Sequence, residues 1–321
     1  MKSYKVIHLS NTPLVGAPGK ISESLNLYSN LTSKWLIEKD YPNKIKDMFK
    51  TYGNIIDKYE ELEQDLVQCD IIHIHNFISN KLEDFVLSKV SKKCKFIYHV
   101  HSPLREGPIF YEFNLKSKIK FDRLLAVGQY QPRFYQNHLI VPNIIMFEPT
   151  LNLIKNKDKI NILFSPAHYK VGGRWNDKVS DNLNSYYKEL SKDKRVQTHD
   201  INGVKPEVLY KLRTTMHITI DEVVTGSFHQ VSLEGMAAGN VVINNSDYFS
   251  NRALESYSSS NIPFYRCDDF NIKDRINQLI NNYDLIRKHQ QESFDFFNNH
   301  LKPNKLIKIY TNIYEEVMNE N

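Results

Sequence analysis

Residues 226–240, GSFHQVSLEGMAAGN, join a small, turn-prone entry (Thr225-Gly226-Ser227) to a helix with an early glutamate, Glu234. A glycine turn that opens a helix presents unpaired backbone N–H groups and the positive end of the helix dipole, and both suit a phosphate. A carboxylate further along can accept hydrogen bonds from a pair of sugar hydroxyls. Together these features point to a nucleotide-diphosphate pocket with a ribose anchor, built by Ser227, Phe228, His229, Gln230 and Glu234. The plain alternative is an ordinary helix entry with Glu234 merely exposed, since glycine turns before helices are common.

Two further groups of residues could do chemistry. His73, His75, His99 and His101 form two HxH pairs, and strand alternation would put each pair on one face. Neither pair is accompanied by a carboxylate or cysteine at ligand spacing, so no metal is expected, and no cofactor. Gly16 and Gly19 lie in a segment, Asn11 to Gly19, that follows the first strand, and they let backbone approach a ligand without a Cβ in the way. The spacing is not GxGxxG, and Pro13 and Pro18 remove two N–H donors.

Alternating strands and helices must position these residues. In the first half the strands are read at residues 4–9, 70–75, 95–100, 124–127 and 139–142, with helices from about Ser22, over 56–67 and near 80–91. A polar, lysine-rich stretch at 150–159 reads as a linker. A second series follows, with strands at 161–164, 196–199, 217–221, 241–243 and 263–265 and helices between them. Short apolar strands separated by helices imply parallel sheets covered on both faces. The expected architecture is α/β with two Rossmann-like, doubly wound domains (1–149 and 150–302) facing a cleft. A last amphipathic helix (303–321) carries Leu306, Ile307, Tyr310, Ile313, Tyr314 and Val317 on one side.

Composition narrows the class. A chain of 321 residues fits two domains, and 41% hydrophobic with 25% charged residues is ordinary for a globular protein. No apolar run approaches the roughly 20 residues that span a bilayer. Three widely spaced cysteines without CxxC argue against disulfides, so a reduced, cytoplasmic protein is expected. The net charge of +5 lies wholly in residues 1–145, which hold 20 Lys and Arg against 15 Asp and Glu. Part of it is Lys116, Lys118, Lys120 and Arg123, either a solvated helix face or a patch for anionic lipid at the inner membrane face, phosphorylated glycan or nucleic acid.

The 226–240 stretch resembles the nucleotide-sugar motif of retaining GT-B glycosyltransferases, family 4 in particular, where two glutamates stand eight positions apart. Glu234 matches the second, which in that family holds the donor ribose; the first falls on Gly226. HVHS resembles the strand end where a histidine, here His101, reaches the transferred sugar, with Ser102 in place of the usual aspartate. The resemblance implies that Arg174 and Lys178 neutralise the leaving diphosphate and that the Gly16–Gly19 loop meets the donor phosphates or the acceptor. It implies a terminal helix that crosses back to the first domain. The implied activity is metal-independent hexosyl or pentosyl transfer, with retention, from a nucleotide-diphosphate sugar to a surface glycan or glycolipid. Alternatives are a phage-type enzyme acting on modified DNA bases, and a binding protein of this shape that has lost transfer. Asp221 or Glu222, just before the turn, could stand in for the glutamate absent at Gly226.

Overall fold

Among the described residues, twelve α-helices and eleven strands fall in two compact units, residues 1–146 with 303–321 and residues 147–302. The computed structural model describes residues 3–41, 48–49, 54–103, 109–151, 158–165, 179–201 and 203–320.

The first unit holds a six-stranded, wholly parallel sheet: β1 (Lys5–Ser10), β2 (Thr32–Ile37), β3 (Ile71–His75), β4 (Lys95–Val100), β5 (Arg123–Val127) and β6 (Leu139–Val141). Their order is β2-β1-β3-β4-β5-β6, a doubly wound sheet whose direction reverses between β1 and β3. One face carries Ile7, Leu9, Ile72, Ile74, Tyr98 and Val100, packed with Leu66 of α2 (Glu63–Gln68) and with Leu82 and Val86 of α3 (Asn80–Lys89). The opposite face carries His8, His73, His75 and His99, because the register sets His8 beside His73 and His75 beside His99. A helix from the far end of the chain, α12 (Pro303–Asn319), belongs to this unit. Its Tyr314 hydroxyl lies 2.8 Å from His73 Nδ1, and its Tyr310 hydroxyl donates to the Pro142 carbonyl.

Helix α1 (Ala17–Tyr28) starts earlier than the pattern suggested, because Pro18 sits in its first turn, where a missing N–H costs nothing. Gly19 is therefore a helical residue and not part of the loop. A Cβ there would stand 2.3 Å from Cε3 of Trp35 on β2, so the missing side chain seats the indole. Gly19→Ala is expected to lower stability by about 1–3 kcal/mol through overpacking, measurable by urea denaturation.

The second unit holds a five-stranded parallel sheet of β7 (Ile160–Phe164), β8 (Val196–Asp200), β9 (Ile218–Ile220), β10 (Val241–Asn244) and β11 (Tyr265–Arg266), ordered β11-β10-β9-β7-β8. The winding repeats that of the first unit, with the reversal between β7 and β9. Its helices include α7 (Pro206–Arg213), α8 (Gln230–Ala237) and α9 (Tyr248–Ser258). Cys69, Cys94 and Cys267 are buried free thiols. No described helix is long and apolar enough to cross a membrane.

Candidate functional site

The β9–α8 connection lies at the carboxyl end of the strand beside the reversal point, where doubly wound sheets bind ligands. Two adjacent carboxylates shape it. Asp221 accepts from the His229 amide (2.7 Å) and the Ser232 hydroxyl (2.6 Å), and the His229 imidazole Nδ1 lies 3.1 Å away. Burial opposes its ionisation, but the His229 imidazole and these hydrogen bonds outweigh that and hold it below the usual carboxylate range. Glu222 is buried and accepts from the amides of Val224 (2.8 Å), Thr225 (2.7 Å) and Ser227 (3.3 Å) and from the Thr225 hydroxyl. Both carboxylates are thus occupied inside the turn. Each serves the turn's own amides and hydroxyls, whereas the sequence suggests that one of them could replace the glutamate absent at Gly226.

Gly226 itself has φ +75°, the left-handed region, and its carbonyl accepts from the Asp247 amide and the Ser250 hydroxyl at the start of α9. A glutamate at this position would carry a backbone cost on the order of 1–2 kcal/mol, which accounts for the glycine. The turn differs from an open phosphate cradle, because Ser227 N and His229 N are engaged by the protein's own carboxylates. The Phe228 ring is buried against Phe264, with centroids 5.7 Å apart, so its side chain packs in the core. Gln230 opens α8.

Glu234 is largely buried, not exposed at the surface. Arg213, the last residue of α7 and fully buried, donates from Nη2 to Glu234 Oε2 (3.3 Å) and from Nη1 to the Thr219 hydroxyl (3.3 Å). Thr219 donates to Asn240 Oδ1 (2.7 Å), whose Nδ2 donates to the carbonyls of Arg213 and Met216. Burial lowers the Arg213 pKa, and the neighbouring Glu234 and Asp221 charges offset this only in part. Gly235 lets α8 lie close on the sheet, since a Cβ there would come within 2.9 Å of Val242. Arg213 escaped sequence reasoning. Its signal was a cation at a helix end just before the buried strand HITI.

In the first unit, Gly16 (φ +76°) follows Leu14 (φ +49°) and Val15 (φ +56°). Three consecutive left-handed residues, one of them β-branched, form a strained connection after β1. Half-buried His101 follows β4; its amide donates to Asn76 Oδ1, and its Nε2 lies 2.8 Å from His75 Nδ1. Burial drops its pKa to about 3, so the ring is neutral at physiological pH. Arg174 and Lys178 lie outside the described residues. The basic stretch is largely neutralised: Lys116 pairs with Glu112, Lys118 with Asp84 and Arg123 with Glu320. Phe113 and Phe121 pack on Tyr98 instead of interleaving with exposed cations. The structure therefore gives no support to a lipid-binding patch there.

No protein-family model and no curated protein matches this sequence. Solved structures do. An alpha-glucosyltransferase in complex with UDP-glucose and DNA containing an abasic site aligns over 98% of this chain and 100% of its own, with TM-score 0.63 and 9% identity. Anabaena Alr3699/HepE, in complex with UDP and glucose, aligns over 98% and 100% with TM-score 0.63 and 9% identity. A glycosyltransferase from Rickettsia africae ESF-5 aligns over 100% of both chains with TM-score 0.60 and 12% identity. The fold is that of the GT-B glycosyltransferases. At these identities the likeness concerns the fold alone.

Proposed function

We propose that this protein is a glycosyltransferase that takes a hexose from a nucleotide-diphosphate sugar, with UDP-glucose as the first donor to try. The observation that carries the reading is Glu234. A carboxylate held by a buried arginine, on the helix behind a glycine turn at the sheet's reversal point, suits a ribose diol. The fold likeness to proteins solved with UDP or UDP-glucose supports it. In this reading the diphosphate meets the first turn of α8, Arg174 and Lys178 neutralise it as the glycosidic bond breaks, and no metal takes part in transfer. Gly16, in its strained turn, and His101 in the first unit serve the acceptor and the transferred sugar, and the anomeric configuration is retained.

The acceptor reading is a glycan or glycolipid. A DNA acceptor is the second reading, favoured by the basic excess of the first half and by the DNA-bound neighbour. A thermal-shift screen across UDP, GDP, ADP and their sugars tests the donor; a ligand at a hundred times its Kd adds about 2.7 kcal/mol. No shift with any of them would overturn the proposal. Transfer to duplex DNA that collapses between low and moderate salt would select the second acceptor, since several phosphate contacts impose a steep salt slope. Transfer to a glycan that tolerates salt would select the first.

A further inference from the structure

The histidine face belongs to the first unit and gathers five imidazoles from three strands, of which only His101 enters the proposed function. His8, His73, His75 and His99 are fully buried, and His101 is half-buried at the strand ends. His8 Nδ1 lies 2.8 Å from His75 Nε2, and His75 Nδ1 lies 2.8 Å from His101 Nε2. Among the described residues, neither ring nitrogen of His99 has a hydrogen-bond partner, nor do Nε2 of His8 and Nε2 of His73. A buried polar group left unmet costs about 1–3 kcal/mol, so four such nitrogens on one sheet face need a reason. Hydrophobic side chains would fill the same space at lower cost.

We infer that His75, His99 and His101 form a binding site for one divalent transition-metal cation of the zinc class. Their three ligand nitrogens lie within 4.8 Å of one another. Coordination at about 2.0–2.1 Å would set neighbouring nitrogens about 3.3 Å apart, a spacing that small side-chain rotations reach from here. His8, bonded to the other nitrogen of His75, supplies the orienting contact that metal-bound histidines ordinarily have. His101 is the one member of the trio that is not fully buried. An all-imidazole set favours zinc, copper or nickel over magnesium or calcium and leaves a fourth position to water or an anion. The sequence alone showed only HxH pairs; the third ligand arrives through the β3–β4 register, which places His75 beside His99.

The test uses the full chain, stripped with EDTA, dialysed and titrated with Co2+ and then Zn2+. The expected result is one equivalent bound, with the intense visible bands of tetrahedral Co2+ that Zn2+ bleaches. His99→Gln and His101→Gln should each weaken Zn2+ by at least about 100-fold, and His8→Gln by roughly 10- to 100-fold. His289→Gln, in the other unit, should change nothing. Far-UV circular dichroism checks each fold; should His99→Gln unfold, half-exposed His101 still carries the test. The inference is overturned if the wild type takes up no metal, or if His101→Gln binds as tightly as wild type. It is equally overturned if His73→Gln abolishes binding while His99→Gln, folded, keeps it. None of these readouts depends on glycosyl transfer, so they stand or fall apart from the proposed function.

Discussion

Acidification from about pH 7 to about pH 5 is expected to remove at least about 5 kcal/mol of stability from the first unit. His8, His73, His75, His99 and His101 are all held neutral by burial, reinforced at all but His101 by repulsion among themselves; His8 and His101 fall to about 3. In the unfolded chain each titrates near 6.5. The unfolded state therefore binds more protons below that pH. Stability is complete above about pH 6.5 and declines as pH falls toward the folded-state values, at up to about 1.4 kcal/mol per pH unit for each histidine. Asp221 acts later and in the same direction, because its depressed pKa makes its contribution fade only below about pH 3.9. Urea denaturation at several pH values, with EDTA present, measures the slope. A flat profile between pH 7 and pH 5 would contradict the burial of this face.

Arg213→Ala is expected to destabilise the second unit by about 3–5 kcal/mol, since it strands a buried carboxylate at Glu234 and removes the donor to Thr219. It should also weaken nucleotide binding, because the Arg213 guanidinium helps to orient Glu234. The double substitution of Arg213 and Glu234 by methionine separates the two effects. Replacing both partners of a buried pair with apolar groups of similar volume is often neutral, so stability should largely return. Nucleotide affinity should not. If affinity recovered together with stability, Glu234 would be a structural residue and nothing more.

Much of this fold was legible in the chain. Runs such as IIHIH and VVIN are β-branched and continuous, as strands buried on both faces must be, and the helix near 80–91 and the amphipathic terminal helix were read as well, whereas the helices Ile109–Lys116, Gln131–Phe134 and Tyr248–Ser258 were not. β2 was missed because it is an edge strand, TSKWLI, whose exposed residues alternate with buried ones and break the apolar run. Gly19 was read as a loop glycine although Pro18 beside it marks a first helical turn. The motif helix, Glu234, Asp221 and Glu222 were visible, but the buried arginine behind the helix and the role of the two carboxylates in folding the turn were not. Arg213 reaches Glu234 across 21 residues and the Asp221–His229 contact spans 8, pairings that only the packed sheet reveals.

If Glu234 grips the ribose of a bound nucleoside diphosphate, removing the ribose hydroxyls must cost affinity. Isothermal titration of UDP and its 2′,3′-dideoxy analogue into wild type and Glu234→Ala measures that cost. Wild type should prefer UDP over the analogue by at least about tenfold, roughly 1.4 kcal/mol, and the variant should bind both alike. Equal affinity of wild type for the two ligands, or an undiminished preference in the variant, would contradict it.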